Sequence, residues 1–140
     1  MIILDTNVLG ALMRTVPDAA IVAWLDRQPA DSVWITSITL FEARFGLALL
    51  PLGRRRQTLE AAFARLLKED LENRVLDFDS AAATEAASLA ATRRKEEGRP
   101  VDMRDTQIAG MALARRAALA TQNVLKFLDL EISMVNPSRD

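Results

Sequence analysis

The chain opens on Met1-Ile2-Ile3-Leu4 and passes directly into Asp5-Thr6-Asn7. No other stretch restricts the fold so strongly. A short run of bulky apolar residues reads as a buried strand. Thr6 and Asn7 are helix openers, able to cap the free N–H groups of a first turn. Asp5 is therefore expected at the carboxyl end of a central strand, where a helix begins. Open α/β sheets bind their ligands at that edge. An acid there is a candidate metal ligand, and equally a candidate for a plain helix cap.

Later stretches repeat the strand-then-helix pattern. Val8 to Met13 reads as a short helix. Asp18 is placed to cap a second helix, with Ile21, Trp24 and Leu25 as its apolar stripe. Ser32–Thr36 is rich in β-formers and predicts a second strand. Ser37 or Thr39 would cap the next helix, roughly Thr39 to Leu50. At about 100° per residue, Ile38, Glu42, Phe45 and Leu49 share one face of it. Leu40 and Leu47 lie opposite, so this helix is apolar nearly all round and is expected to be buried or part of an interface. Glu42 then stands inside an apolar stripe. Acids are rarely buried unless paired or metal-bound. The plain alternative for Glu42 is a salt bridge to a neighbour such as Arg44 or Arg14.

Pro51-Leu52-Gly53 predicts a turn, and Arg54-Arg55-Arg56 opens an amphipathic helix through Leu59, Phe63, Leu66 and Leu67. Three arginines could meet phosphates, but such a run is more often a solvated face. Arg74–Phe78 is a third strand. Asp79 or Ser80 caps an Ala-rich helix running to about Glu97, closed by Gly98 and Pro100. Its charges from Arg93 to Glu97 read as an ordinary exposed end. A further helix opens over Pro100–Asp105 and runs to about Ala117. Asp105 shares a face there with Val101, Ile108, Ala109 and Ala112. Asp102 suits a capping position; Asp105 points the way the core residues point. Leu119–Thr121 and Ile132–Val135 are a fourth and a fifth strand. Strands alternating with helices imply βαβ units and a mostly parallel sheet.

A length of 140 residues suits one domain, 1–140, with room for a core. The chain holds no Cys and no His. Disulfides, thiolate zinc sites, cysteine nucleophiles and imidazole acid–base chemistry are thereby excluded. Carboxylates without His or Cys suit a hard cation, Mg²⁺ or Mn²⁺. A net charge of −1 does not mark the whole molecule as a nucleic-acid binder. Met1 is followed at once by a strand, which argues against a signal peptide. No apolar run approaches membrane length, so a cytoplasmic location is expected.

Asp5, Glu42 and Asp105 are distant in sequence, yet each sits at a strand-to-helix junction or near a helix start. A three-layer α/β fold collects such positions at one sheet edge. At about 4 Å, each pair of carboxylates repels by roughly 1 kcal/mol in water-like surroundings and roughly 4 at an effective dielectric near 20. Three pairs approach the roughly 5–15 kcal/mol that holds a domain together. Such a cluster persists only with a cation or with added protons. Mg²⁺ held by oxygen ligands activates water and offsets phosphodiester charge, with no protein nucleophile required. Thr6 and Thr121 could orient a carboxylate or the water; Asn7 and Asn123 could hold the backbone or the substrate.

The opening MIILDTNVL, the helix SITLFEARFGLALL, the stretch DMRDTQIAGMALARRAALATQNVLKF and the ending VNP resemble PIN-domain proteins. More narrowly they resemble VapC toxins of type II toxin–antitoxin pairs, close to the FitB kind, over essentially the whole chain. The resemblance implies a three-layer α/β PIN-like fold, with a central mostly parallel sheet of about five short strands flanked by helices. It implies a Mg²⁺-dependent endoribonuclease, with Asp5, Glu42 and Asp105 as the catalytic, metal-holding acids. It also implies an antitoxin that inserts a basic side chain into the acidic pocket, and a homodimer or larger toxin–antitoxin assembly. Asn123 matches the fourth position, where the family carries Asp or Asn, and here lacks the charge. Gln122 stands where relatives often have Arg. Asp102 is at most a supporting residue.

Two alternatives remain open at this point. A Mg²⁺-dependent phosphatase usually places a second acid two residues after the first, where this chain has Asn7, and a Lys near the phosphate, for which the last helices offer only Lys126. A catalytically silent PIN-like binding module would use the acids to grip a basic peptide.

Overall fold

The computed structural model describes residues 1–98 and 102–139, apart from the side chain of Glu97. Strands β1 (Ile2–Leu4), β2 (Val33–Thr36), β3 (Val75–Leu76), β4 (Ala118–Ala120) and β5 (Met134–Val135) form one sheet. Their order is β3-β2-β1-β4-β5, and every pairing is parallel. Helices α1 (Thr6–Met13), α2 (Ala19–Asp26), α3 (Ser37–Leu49), α4 (Arg54–Arg65), α5 (Ser80–Glu97) and α6 (Met103–Arg115) cover its two faces. This is the α/β, three-layer arrangement expected from the alternating pattern.

Alternation along β1 shows why both faces need covering. Successive side chains on a strand point to opposite sides. Leu4 joins a cluster with Val8, Leu9, Ile21, Trp24, Ile35 and Phe63. Ile3 joins the opposite cluster with Ile108, Met111, Leu119 and Phe127. A strand buried on both sides cannot alternate apolar with polar residues, which is why the chain opens on a continuous apolar run.

The chain leaves β1 toward β2 and β3, then returns to the other side of β1 for β4 and β5. The direction of winding therefore reverses between β1 and β4. At such a reversal the loops after two neighbouring strands part and leave a crevice at their carboxyl ends.

Several expectations change in detail. Asp5 itself is the N-cap of α1, accepting the Thr6 N–H at 2.8 Å, and Thr6 is already helical. Thr36 caps α3, accepting the Thr39 N–H at 3.0 Å, so α3 starts at Ser37 rather than at Thr39. The expected β3 and β5 shrink to two residues each. The helix expected from Arg54 onward becomes α4 plus a π-turn, Leu66–Asp70. There Leu71 N–H reaches back to the Leu66 carbonyl at 3.0 Å, and both leucines point into the core. The apolar stripe on α3 is only partly covered, since Phe45 is 47% and Leu49 69% exposed. Arg93 is not part of an exposed end. It is buried and donates to Asp129 at 2.8 and 2.9 Å, because α5 packs that turn of its surface under the segment after β4. Asp18, Asp79 and Gly98 cap as expected, Gly98 with φ 63°. The expected roles of Pro100 and Val101 lie outside the described residues.

Helices α5 and α6 touch most closely at Gly110. A Cβ built there would lie 2.6 Å from the Ala86 Cβ and 2.7 Å from the Ala86 backbone nitrogen. Only glycine allows this approach.

Candidate active site

Asp5 sits at the crevice between β1 and β4. Its N–H bonds the Ala120 carbonyl at 2.8 Å, which fixes its backbone to β4. The side chain is buried. The Thr121 hydroxyl donates to Asp5 Oδ2 at 2.8 Å, and Asn7 Nδ2 approaches the same oxygen at 3.3 Å. Asn7 Oδ1 accepts the Gln122 N–H at 3.2 Å, and Thr121 Oγ1 accepts the Asn123 N–H at 3.0 Å. The loops after β1 and β4 are thus laced together around one carboxylate. Burial pushes the Asp5 carboxyl above its usual range; the Thr121 and Thr6 hydrogen bonds oppose this, and nearby Asp105 adds to the rise.

Glu42 is carried on α3 and held from the other side. The Thr6 hydroxyl donates to Glu42 Oε1 at 2.9 Å and lies 3.1 Å from the Thr39 hydroxyl. Thr36 Oγ1 in turn donates to Thr39 Oγ1 at 3.3 Å. Three threonines therefore link the end of β2, the start of α1 and Glu42. Thr36 and Thr39 are fully buried, and nothing in the chain's periodicity marks them as a relay.

The third wall is the start of α6. Asp102 caps it, accepting the Asp105 N–H at 3.1 Å, as its spacing predicts. Asp105 is half-buried on the side of α6 that leads to Ile108, Ala109 and Ala112. All three acids line one open cavity of about 510 Å³, with Thr6, Asn7, Asp102, Met103, Arg104, Asn123 and Lys126. Thr121 is not part of this lining and acts on it only through its hydrogen bond to Asp5. Asp5, Glu42 and Asp105 thus share the lining of one cavity, short of the close cluster expected from the sequence.

Their repulsion is relieved in a way the sequence reading missed. Lys126 Nζ lies 3.1 Å from Asp105 Oδ2, and Arg104 Nη1 lies 3.6 Å from Glu42 Oε2. Arg104, not Arg44 or Arg14, is the partner of Glu42; Arg44 lies over the Phe63 ring instead. Arg104 also stacks over Phe41 at 5.4 Å. The hydrogen bond and the charge of Asp105 hold the Lys126 ammonium above its usual range, so it stays charged. As the side chains lie, no group of three acids among the described residues is close enough to share one ion. The donor set nonetheless fits a hard cation, being carboxylates, hydroxyls and amide oxygens in an open polar cavity. Mg²⁺ is ordinarily bound through one or two carboxylates, with waters and substrate phosphates completing its shell. Asp5 and Asp105 are the two carboxylates that would supply that minimum.

Gln122 takes no part in the cavity; its side chain bonds Ser138 at 2.9 Å. Arg56 pairs with Glu60 at 2.7 Å, while Arg54 and Arg55 border a second, mostly apolar groove of about 1110 Å³. That groove is lined by Leu9, Met13, Ala43, Leu47, Leu50 and Leu59, and Thr6 and Glu42 border both hollows.

An all-parallel sheet whose winding reverses over a carboxylate-lined cavity defines a class of α/β domain built around clustered acids. Residues 2–124 match the PIN domain family. The chain is 36% identical over 137 residues to VapC ribonuclease Y4jK of Sinorhizobium fredii, covering 98% of this chain and 97% of that protein. It is 31% identical over 140 residues to Toxin FitB of Neisseria gonorrhoeae, covering both chains completely. The crystal structure of FitAcB from Neisseria gonorrhoeae superposes with a TM-score of 0.85 at 30% identity, covering 100% of each chain. Solved structures of the VapBC family of toxin–antitoxin systems share the fold as well. The chain thus belongs to the PIN-domain family, among the VapC- and FitB-type toxins of toxin–antitoxin systems. No helix among the described residues is long and apolar enough to cross a membrane.

Proposed function

We propose that this protein is a Mg²⁺-dependent endoribonuclease, the toxic member of a type II toxin–antitoxin pair, with Mn²⁺ able to replace Mg²⁺. The observation that carries this reading is the buried Asp5 carboxylate at the β1–β4 crevice, facing Asp105 and Glu42 across one cavity. Asp5 and Asp105 would hold the ion directly, and Glu42 would hold it or one of its waters. When bound, such an ion supplies a Lewis acid that activates water and offsets the charge of a phosphodiester. The chain's own contribution is positional. Thr121, Thr6 and Asn7 fix the Asp5 carboxylate before any substrate arrives, and Thr6 fixes Glu42. Asn123 presents a neutral amide to the cavity, where it can bond the substrate without adding repulsion. Water serves as the nucleophile in this reading, since an ion of this kind generates one without a side-chain nucleophile.

The same surface accounts for an antitoxin. Glu42 and Thr6 stand on the ridge shared by the acidic cavity and the apolar groove. A segment that lays apolar side chains along the groove and turns a basic residue over this ridge would close the cavity. Phe41, Phe45 and Leu49 leave an apolar strip exposed along α3, with the two rings stacked at 5.9 Å. Such a strip suits a homodimer contact. The cytoplasm, where RNA is translated, is the proposed site of action.

The test is cleavage of total RNA by the purified protein free of antitoxin. Cleavage is expected with Mg²⁺ and lost with EDTA. Asp105→Asn is expected to fall by on the order of a hundredfold or more while its circular dichroism stays native. An active Asp105→Asn protein, or cleavage indifferent to EDTA, would end the metal-dependent reading.

A further inference from the structure

We propose that Lys126 is a built-in rival of the divalent ion: its ammonium occupies the cation position beside Asp105 until a metal displaces it. This rests on the reading that the cavity takes a divalent cation. Four acids face the cavity, Asp5, Glu42, Asp102 and Asp105, against two cations, Arg104 and Lys126. Of the two, Lys126 makes the shorter pair, 3.1 Å against 3.6 Å.

The geometry separates a fixed backbone from a movable charge. Lys126 belongs to a 3₁₀ turn, Val124–Phe127, whose Phe127 is fully buried. Arg93, itself 6% exposed, donates through Nη2 to the Lys126 carbonyl at 3.1 Å and is braced by Asp129. The turn therefore stays where it is. The side chain beyond it is 53% exposed and ends in a single charge on a flexible stem. An ammonium makes no bidentate clamp on a carboxylate, unlike a guanidinium. Lys126 can thus leave Asp105 by rotation of its stem alone, and the released charge stays at the cavity mouth, where a phosphate would meet it. The arrangement explains how the acids coexist without a metal, and it makes metal affinity a property that Lys126 lowers.

The experiment is Mn²⁺ binding in the absence of RNA, read by electron paramagnetic resonance of the free ion. Lys126→Met and Lys126→Gln are expected to bind about fivefold more tightly than the wild type, the scale of a part-exposed ion pair. Lys126→Arg should bind no more tightly than the wild type. Lys68→Met removes the same charge from an exposed side chain of the π-turn after α4 and should shift affinity by less than about twofold. Mn²⁺ should also raise the melting temperature of Lys126→Met by more than that of the wild type. Equal or weaker binding by both neutral variants, with native circular dichroism, overturns the proposal while leaving the metal site standing. The same holds if the gain survives in an Asp105→Asn background. If no variant binds Mn²⁺, the proposal falls together with the metal-dependent reading.

Discussion

Four of the helices described above begin on an aspartate, and two of those aspartates, Asp79 and Asp5, live under opposite conditions. Asp79 caps α5, its Oδ1 accepting the Ala82 N–H at 2.9 Å, and Arg115 pairs with its other oxygen at 3.1 Å. Its carboxyl sits below the usual range, chiefly because of the Ala82 hydrogen bond. Asp5 caps α1 through the Thr6 N–H, but burial drives its carboxyl the other way. The cap and the Arg115 pair together explain Asp79. Capping leaves the burial of Asp5 unexplained, since a cap works equally well at the surface. A fold that keeps an acid under such a penalty, and spends Thr121 and Asn7 on orienting it, has a use for the charge beyond the helix.

The contrast can be broken most directly at the two acids themselves. Asp5→Asn keeps an oxygen for the cap and is expected to lose RNA cleavage by on the order of a hundredfold or more. Asp79→Asn should cleave within about twofold of the wild type, as a substitution outside the cavity. Comparable losses in the two variants would mean that Asp5 acts only through the helix. A smaller effect is expected from Thr121→Val, which takes the best hydrogen bond from Asp5 Oδ2. Cleavage should fall about tenfold and its acid limb should move to higher pH, with Thr121→Ser restoring both. An unmoved pH profile would reduce Thr121 to a packing residue.

The smallest effects are on stability, and they should have opposite signs. The folded pKa of Asp5 is raised, so its ionisation works against folding. Its favourable contribution is complete below the ordinary 3.8 and lost as pH rises through the higher folded value. Asp5→Asn should therefore melt above the wild type at neutral pH in EDTA, with the curves converging below pH 3.8. Asp79 is lowered, so its contribution is present above 3.8 and lost as pH falls through the lower folded value. Asp79→Ala should melt below the wild type at neutral pH, with the gap closing in stronger acid. Calorimetric scans across this range decide both, and two variants shifting the same way would remove the contrast.

Much of the site was legible because local rules govern it. Asp5 follows from an apolar run meeting helix-opening residues, and Asp105 from its place among Ile108, Ala109 and Ala112. Asp18, Asp79 and Gly98 follow from capping chemistry. Contacts between elements were not legible in this way. The Lys126–Asp105 and Arg104–Glu42 pairs join segments that no periodicity relates, and Arg93 reads as solvated until Asp129 is brought over it. Thr36, Ser37 and Thr39 are equally good caps on paper, and only the extended backbone at Thr36 selects it. Periodicity places Phe45 and Leu49 on one face of α3, but a stripe does not say what covers it, and both stand in the open.

The contact at Gly110 reaches further than packing. Gly110 stands five residues after Asp105 on the same helix, and the backbone of Ala86 leaves no space for even a methyl group. Any side chain at 110 would have to lever α6 off its neighbour, carrying Asp102, Arg104 and Asp105 away from Asp5. For a gene drifting by single changes, that position is a locked door: the route to a different residue at 110 runs through prior change on α5, a helix that lends no residue to the cavity.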